Sequence, residues 1–180
     1  MTIDRRTLLG AATATIPLIS VGIGKADTPD FSAIRTVGQF ANQVIGRADL
    51  SRSASEIAVK KAARGDAKEF AGFELEEAKT VISVLTGLGI VVPVMGPEAK
   101  SALAHIADSR AGADFDKAYM TAQFENHAYL RDLAAAYLKN ADKSTADPDE
   151  KYGQRLATVA HWAFWEHTEI TRRICRELEA

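Results

Sequence analysis

The chain has a single cysteine, Cys175, among its 180 residues. One thiol closes no disulfide within the chain and cannot found a cysteine-based metal cluster. Beside Ile174, near the end of a helical stretch, it suits a packed or half-exposed thiol rather than a reactive one. An excess of one charge is also lacking: 22 Lys and Arg face 24 Asp and Glu, a net charge of −2. No basic field is present to hold nucleic acid or an anionic membrane. There is no apolar run of the length, about 20 residues, that a transmembrane helix needs. Neither a glycine-rich phosphate loop nor a nucleophile elbow occurs, which argues against a hydrolase of those classes. β-branched runs are scarce after residue 95, and alanine and strong helix formers take their place.

What is present begins with Asp4-Arg5-Arg6-Thr7-Leu8-Leu9, followed by an apolar stretch over Ala11–Gly24. Gly24-Lys25-Ala26 offers small residues where a signal peptidase reads. Residues 1–26 therefore read as a twin-arginine signal peptide, and 27–180 as one helical domain, with about 150 residues to build a core. The expectation is passage through the twin-arginine export machinery to the periplasm. That route carries folded proteins, many with a cofactor already loaded. Whether the leader is cleaved or kept as an anchor stays open.

Helical periodicity predicts four long helices: about 31–63 (with a break near Gly46 and Asp49), 67–88, 114–139 and 148–178. Asp66 reads as the N-cap of the second and Gly89 as its stop; Asp147-Pro148 reads as the start of the fourth. A connection through Pro93 and Pro97 leads to a short helix over about 98–108. The fold class expected is all-α, a ferritin-like four-helix bundle with a long crossover connection and a short extra helix.

Steps of three and four trace the apolar stripes. On the second helix the stripe is Phe70, Phe73, Glu77, Val81, Val84 and Leu88. On the third it is Met120, Phe124, His127, Leu130, Ala134 and Tyr137. On the fourth it is Leu156, Ala160, Ala163, His167, Ile170 and Ile174. Each is interrupted once, near its middle, by a side chain able to bind metal. Buried ionisable groups must be paired, so Glu77, His127 and His167 either hold one divalent transition-metal ion or share protons in a Glu–His network. Glu74, Glu166 and His161 are peripheral candidates. The stripe of the first helix runs Val44, Ala48, Ser51, Ala54 or Ser55, Ala58 and Ala62, with Ser51 as its polar member and Glu56 pointing away. His105 is expected at the surface. Trp162, Phe164 and Trp165 are expected to pack in the core.

The run Phe70-Ala71-Gly72-Phe73-Glu74-Leu75-Glu76-Glu77-Ala78, the run Phe115-Asp116-Lys117-Ala118-Tyr119-Met120 with His127 seven residues on, and the last helix with His167 resemble an exported bacterial family. It is the ferritin-like family catalogued as domain of unknown function 4142, and the resemblance covers about residues 40–172. It implies a family acid at Glu77 and family histidines at His127 and His167. It also implies that Ser51 replaces a glutamate on the first helix, that Ala78 replaces a histidine after the second-helix acid, and that Trp162 stands where proline is common.

Two functions follow as expectations. One is a non-enzymatic exported bundle acting in envelope stress, scaffolding or partner binding, which Ser51 and Ala78 favour because they erode a redox centre. The other is a mononuclear metal-binding or oxidoreductase bundle using Glu77, His127 and His167.

Overall fold

The computed structural model describes residues 29–179; the leader expected over 1–26 lies outside them. The described residues form five α-helices and no strand: α1 (Val37–Lys61), α2 (Gly65–Gly87), α3 (Pro97–Asp108), α4 (Ala113–Asn140) and α5 (Pro148–Glu179). The fold is all-α, with a short helix after the long connection, as the periodicity suggests. None of these helices is long and apolar enough to cross a membrane.

Local chemistry sets the ends. α1 starts later than periodicity alone suggests, because Thr36 and Gln39 form a capping box. The Gln39 side-chain oxygen accepts from the Thr36 N–H at 3.1 Å, and Thr36 Oγ1 accepts from the Gln39 N–H at 3.3 Å. α1 does not break at Gly46. A Cβ there would meet Pro93 Cγ at 3.2 Å, so the glycine lets the α2–α3 connection lie against the helix. α2 stops where expected: Gly89 has φ +83°, and the N–H groups of Gly89 and Ile90 reach back to the carbonyls of Thr86 and Leu85. Asp66 is not the N-cap of α2. That position is Arg64, and the acid that serves the α1–α2 turn is Asp116 of α4, accepting from the Ala63 and Arg64 N–H groups at 3.0 and 2.8 Å. Asp147 accepts from the Asp149 N–H at 2.9 Å and begins α5 as expected.

α1 packs on α2 and α4, α4 packs on α5, and α3 lies against α1 and α4. The α1–α2 pair is joined by small residues: Ala54 and Ala58 of α1, with Ala62 just past its end, share a buried cluster with Ala67 and Ala71 of α2. That seam corrects two of the expected stripes. On α2 the buried face is Ala67, Phe70, Ala71, Glu74 and Ala78, while Phe73, Val84 and Leu88 are exposed. The face is turned by about 60°, one three-residue step on a helix. On α5 the buried line is Gly153, Ala157, Phe164, Thr168, Thr171 and Ile174, and Leu156 is exposed. Only Phe164 of the aromatic trio falls on this line. Trp162 and Trp165 are 60% and 46% exposed, so their expected place in the core is not found. The α1 and α4 stripes hold, apart from a half-buried Phe124.

The core is divided. One apolar cluster gathers Phe70, Phe115, Tyr119, Met120 and Ile174, with alanines of α1 and α2. The other gathers Phe40, Leu130, Leu133, Tyr137 and Phe164. At the second cluster α5 comes close to α1: a Cβ on Gly153 would lie 2.3 Å from Val37 Cγ2 and 2.6 Å from Val37 Cβ. Gly153→Ala is therefore expected to destabilise the fold by about 1–3 kcal/mol despite its better helix propensity, as overpacking does. Urea denaturation measures it, and a variant as stable as the parent would contradict the packing.

Candidate metal centre

Between the two apolar clusters lies a layer of polar side chains drawn from all four long helices. α1 supplies Ser51 and Ser55, α2 Glu74, α4 Gln123 and His127, and α5 His167, Thr168 and Thr171. All are buried except His167, whose side chain keeps 15% exposure. The two threonines spend their hydroxyls on carbonyls of their own helix. The others form one connected group.

Its centre is a triangle. His127 Nε2 lies 3.2 Å from Glu74 Oε2, His167 Nδ1 lies 3.4 Å from the same oxygen, and the two nitrogens are 3.3 Å apart. Glu74, His127 and His167 are the three residues able to hold a metal ion together among those described. Four ligands set tetrahedrally at about 2.0–2.1 Å from a zinc-like ion stand roughly 3.3 Å from one another, so the triangle has the size such an ion requires. Glu74 Oε2 is fully buried and has no hydrogen-bond partner.

The outer nitrogens are accounted for. His127 Nδ1–H donates to the Gln123 carbonyl at 2.9 Å, which leaves the Nε2 lone pair facing inward. His167 Nε2 lies 3.5 Å from Glu77 Oε2, which leaves Nδ1 facing inward. Metal-bound imidazoles typically have their second nitrogen fixed in this way, which sets tautomer and ring angle. Phe70 stands edge-on to both rings, at 6.0 and 5.5 Å, and limits their rotation.

Burial acts to raise the Glu74 carboxyl, but the neighbouring imidazoles of His127 and His167 and the hydrogen bond from Ser51 outweigh it and hold the group down at about 2. For His167 burial acts to lower the imidazole, and Glu74, Glu77 and Glu166 outweigh it, so the group is raised. Glu77 is raised, chiefly by burial. In the metal-free state the triad is thus an anion held beside an imidazole that readily takes a proton.

The other oxygen of Glu74 is held by a chain of hydrogen bonds. Ser51 Oγ lies 2.5 Å from Glu74 Oε1 and 2.9 Å from the Gln123 side-chain oxygen, yet its hydroxyl has one proton. A half-turn of the Gln123 amide exchanges its oxygen and nitrogen and removes the conflict. Tyr119 then donates to Ser55 (2.9 Å), Ser55 to Gln123 (3.3 Å), Gln123 to Ser51, and Ser51 to the carboxylate. Each hydrogen bond in the chain then has one donor and one acceptor, and the chain fixes the rotamer of Glu74. Burial raises the Tyr119 phenol, which keeps its donor proton in place.

Of the residues singled out in sequence, His127 and His167 meet as expected. Glu74, read as peripheral, is the carboxylate between them, and Glu77, read as a ligand, stands behind His167. Glu166 is exposed on α5. His161 is half-buried, edge-on to Trp162 at 6.0 Å. His105 is exposed. Ser55 stands on the expected stripe of the first helix, as the alternative to Ala54; Gln123 was not anticipated. Their signal is spacing, since Ser55 follows Ser51 by four and Gln123 precedes His127 by four on stripes otherwise apolar. No protein-family model, curated protein or solved structure matches the chain.

Proposed function

We propose that this protein is a metal-binding helical bundle that holds one divalent transition-metal ion on Glu74 Oε2, His127 Nε2 and His167 Nδ1. One observation carries the reading: three inward-facing donor atoms form a triangle of 3.2–3.4 Å sides, and the carboxylate oxygen among them is buried with no hydrogen-bond partner. One carboxylate with two imidazoles suits zinc or iron(II) better than calcium or magnesium. When bound, such an ion supplies a Lewis acid and polarises a water in the position the protein leaves open. The chain's own residues do the rest. Glu77 and the Gln123 carbonyl orient the imidazoles, and Ser51 and Gln123 orient Glu74.

The centre is mononuclear in this proposal, because Ser51 and Ala78 stand where the family resemblance would put further ligands. The arrangement proposed for the whole chain is a ferritin-like four-helix bundle of that family, exported by the twin-arginine route and working in the periplasm. Four long helices, with the long connection between the second and third, support the bundle.

Titration of chelator-treated, untagged protein with cobalt(II) or zinc tests the metal reading. One saturable equivalent is expected. At a hundredfold excess over Kd, a ligand contributes about 2.7 kcal/mol, or a Tm rise of about 5–10 °C for a domain of this size. No saturable binding and no shift in Tm would overturn it. Glu77→Gln is expected to keep the stoichiometry and weaken affinity about 10–100-fold, the usual effect of removing a ligand's outer partner. An unchanged affinity would remove Glu77 from the site.

A further inference from the structure

The helices do not close on every side. α2 and α5 stand apart over the second half of α2 and the first half of α5, and α1 forms the floor of a groove of about 500 Å³ between them. Val81, Val84 and Leu88 line one wall; Leu156, Val159 and Ala160 line the other. These include members of the apolar stripes that sequence periodicity assigns to the core. The groove begins near Asp149 at the start of α5 and ends at Glu77 and Phe164. Phe164 lies beside His127, with ring centroids 6.4 Å apart, so the inner end adjoins the polar layer. Among the described residues, Asp149 and Glu77 are the charged ones in the lining, and no lysine, arginine or histidine joins them.

We propose that this groove binds an extended aliphatic chain with an amine or hydroxyl head, the head at Glu77 and the chain along α2 and α5, and that it rejects fatty carboxylates. The groove's volume is that of a small-molecule site. Charge decides the head group. A carboxylate would lose its water and find no lysine or arginine among the described lining residues, and the nearest basic group, His167, already faces Glu77 at 3.5 Å, whereas an ammonium or hydroxyl can donate to Glu77. The proposal stands apart from the metal reading, since no groove contact requires an ion.

The test uses the full chain after chelation, so its failure and that of metal binding are told apart. The probe is N-phenyl-1-naphthylamine, whose fluorescence rises in apolar sites, displaced by dodecylamine, dodecanol or dodecanoate below their micellar concentrations. One saturable probe site is expected, with dodecanoate competing about tenfold or more weakly than the other two, a gap of about 1.4 kcal/mol. Glu77→Gln should narrow that gap. Ala160→Trp should fill the groove and reduce probe binding about tenfold or more, with helicity retained. Should that variant misfold, Val84→Lys at an exposed wall position serves instead. Three results would overturn the proposal: no saturable probe site, equal competition by dodecanoate in the parent chain, or probe binding untouched by the groove variant that folds. A dimer by sedimentation that Val84→Lys dissociates would assign the groove to a second copy and overturn it as well.

Discussion

Glu74→Gln should abolish the proposed metal binding, while His161→Ala and His105→Ala should leave it intact; this is the largest effect expected of any single change in the protein. The carboxamide has nearly the shape of the carboxylate and keeps the contact with Ser51, so the fold should survive. What it loses is the anion that faces both imidazoles at 3.2 and 3.4 Å. Without that charge two neutral nitrogens remain, too few to retain an ion against water at a site that needs deprotonated ligands. His127→Ala should also abolish binding but is a harsher change. It strands Glu74 as a buried charge without its main partner, a loss on the order of 3–5 kcal/mol. Metal analysis and Tm should therefore separate the two: Glu74→Gln loses metal with modest loss of apo stability, and His127→Ala loses both. Retention of one equivalent by Glu74→Gln would move the centre elsewhere.

Asp116→Ala should be the most damaging change outside the polar layer. Asp116 is 2% exposed, and its two oxygens accept from the consecutive Ala63 and Arg64 N–H groups, where the chain turns from α1 into α2. Hydrogen bonds to a charged acceptor each contribute about 1.5–3 kcal/mol, and removal takes the acceptor from two N–H donors at a partly exposed turn. The expected loss is about 3–5 kcal/mol, a Tm drop of roughly 8–15 °C. Asp116→Asn keeps one good acceptor and should cost about half as much. Chemical denaturation followed by circular dichroism checks both. A cost under about 0.5 kcal/mol, the level of an ordinary surface change, would show that the turn holds itself.

The helices were legible in the sequence because their punctuation is local: Gly89 needs positive φ, and Asp147-Pro148 is a start signal within two residues. The inward faces of α2 and α5 were not. Periodicity weights bulk, and on α2 the bulky residues Phe73, Val84 and Leu88 lie on the exposed edge, while alanines make the close contact with α1. A seam of alanines carries little hydrophobic signal, yet it is what two helices need in order to approach. The same 60° turn exchanged Glu74 and Glu77. His127 was found because α4 is buried along the stripe that periodicity follows. Asp116 could not be recognised, because its partners are backbone groups some fifty residues away.

The polar layer between the two apolar clusters has a consequence for how the chain finds its alignment. α1 offers α4 a surface of alanines and small serines, against which sliding by one turn, about 5.4 Å, would keep much of the apolar contact. It would not keep Gln123 between Ser51 and Ser55, nor His127 beside Glu74. Each group so displaced would face a methyl group in a dry interior at a cost of about 1–3 kcal/mol. Like a lone buried asparagine in a coiled coil, the layer works as an index mark, and only one axial setting of the helices satisfies it.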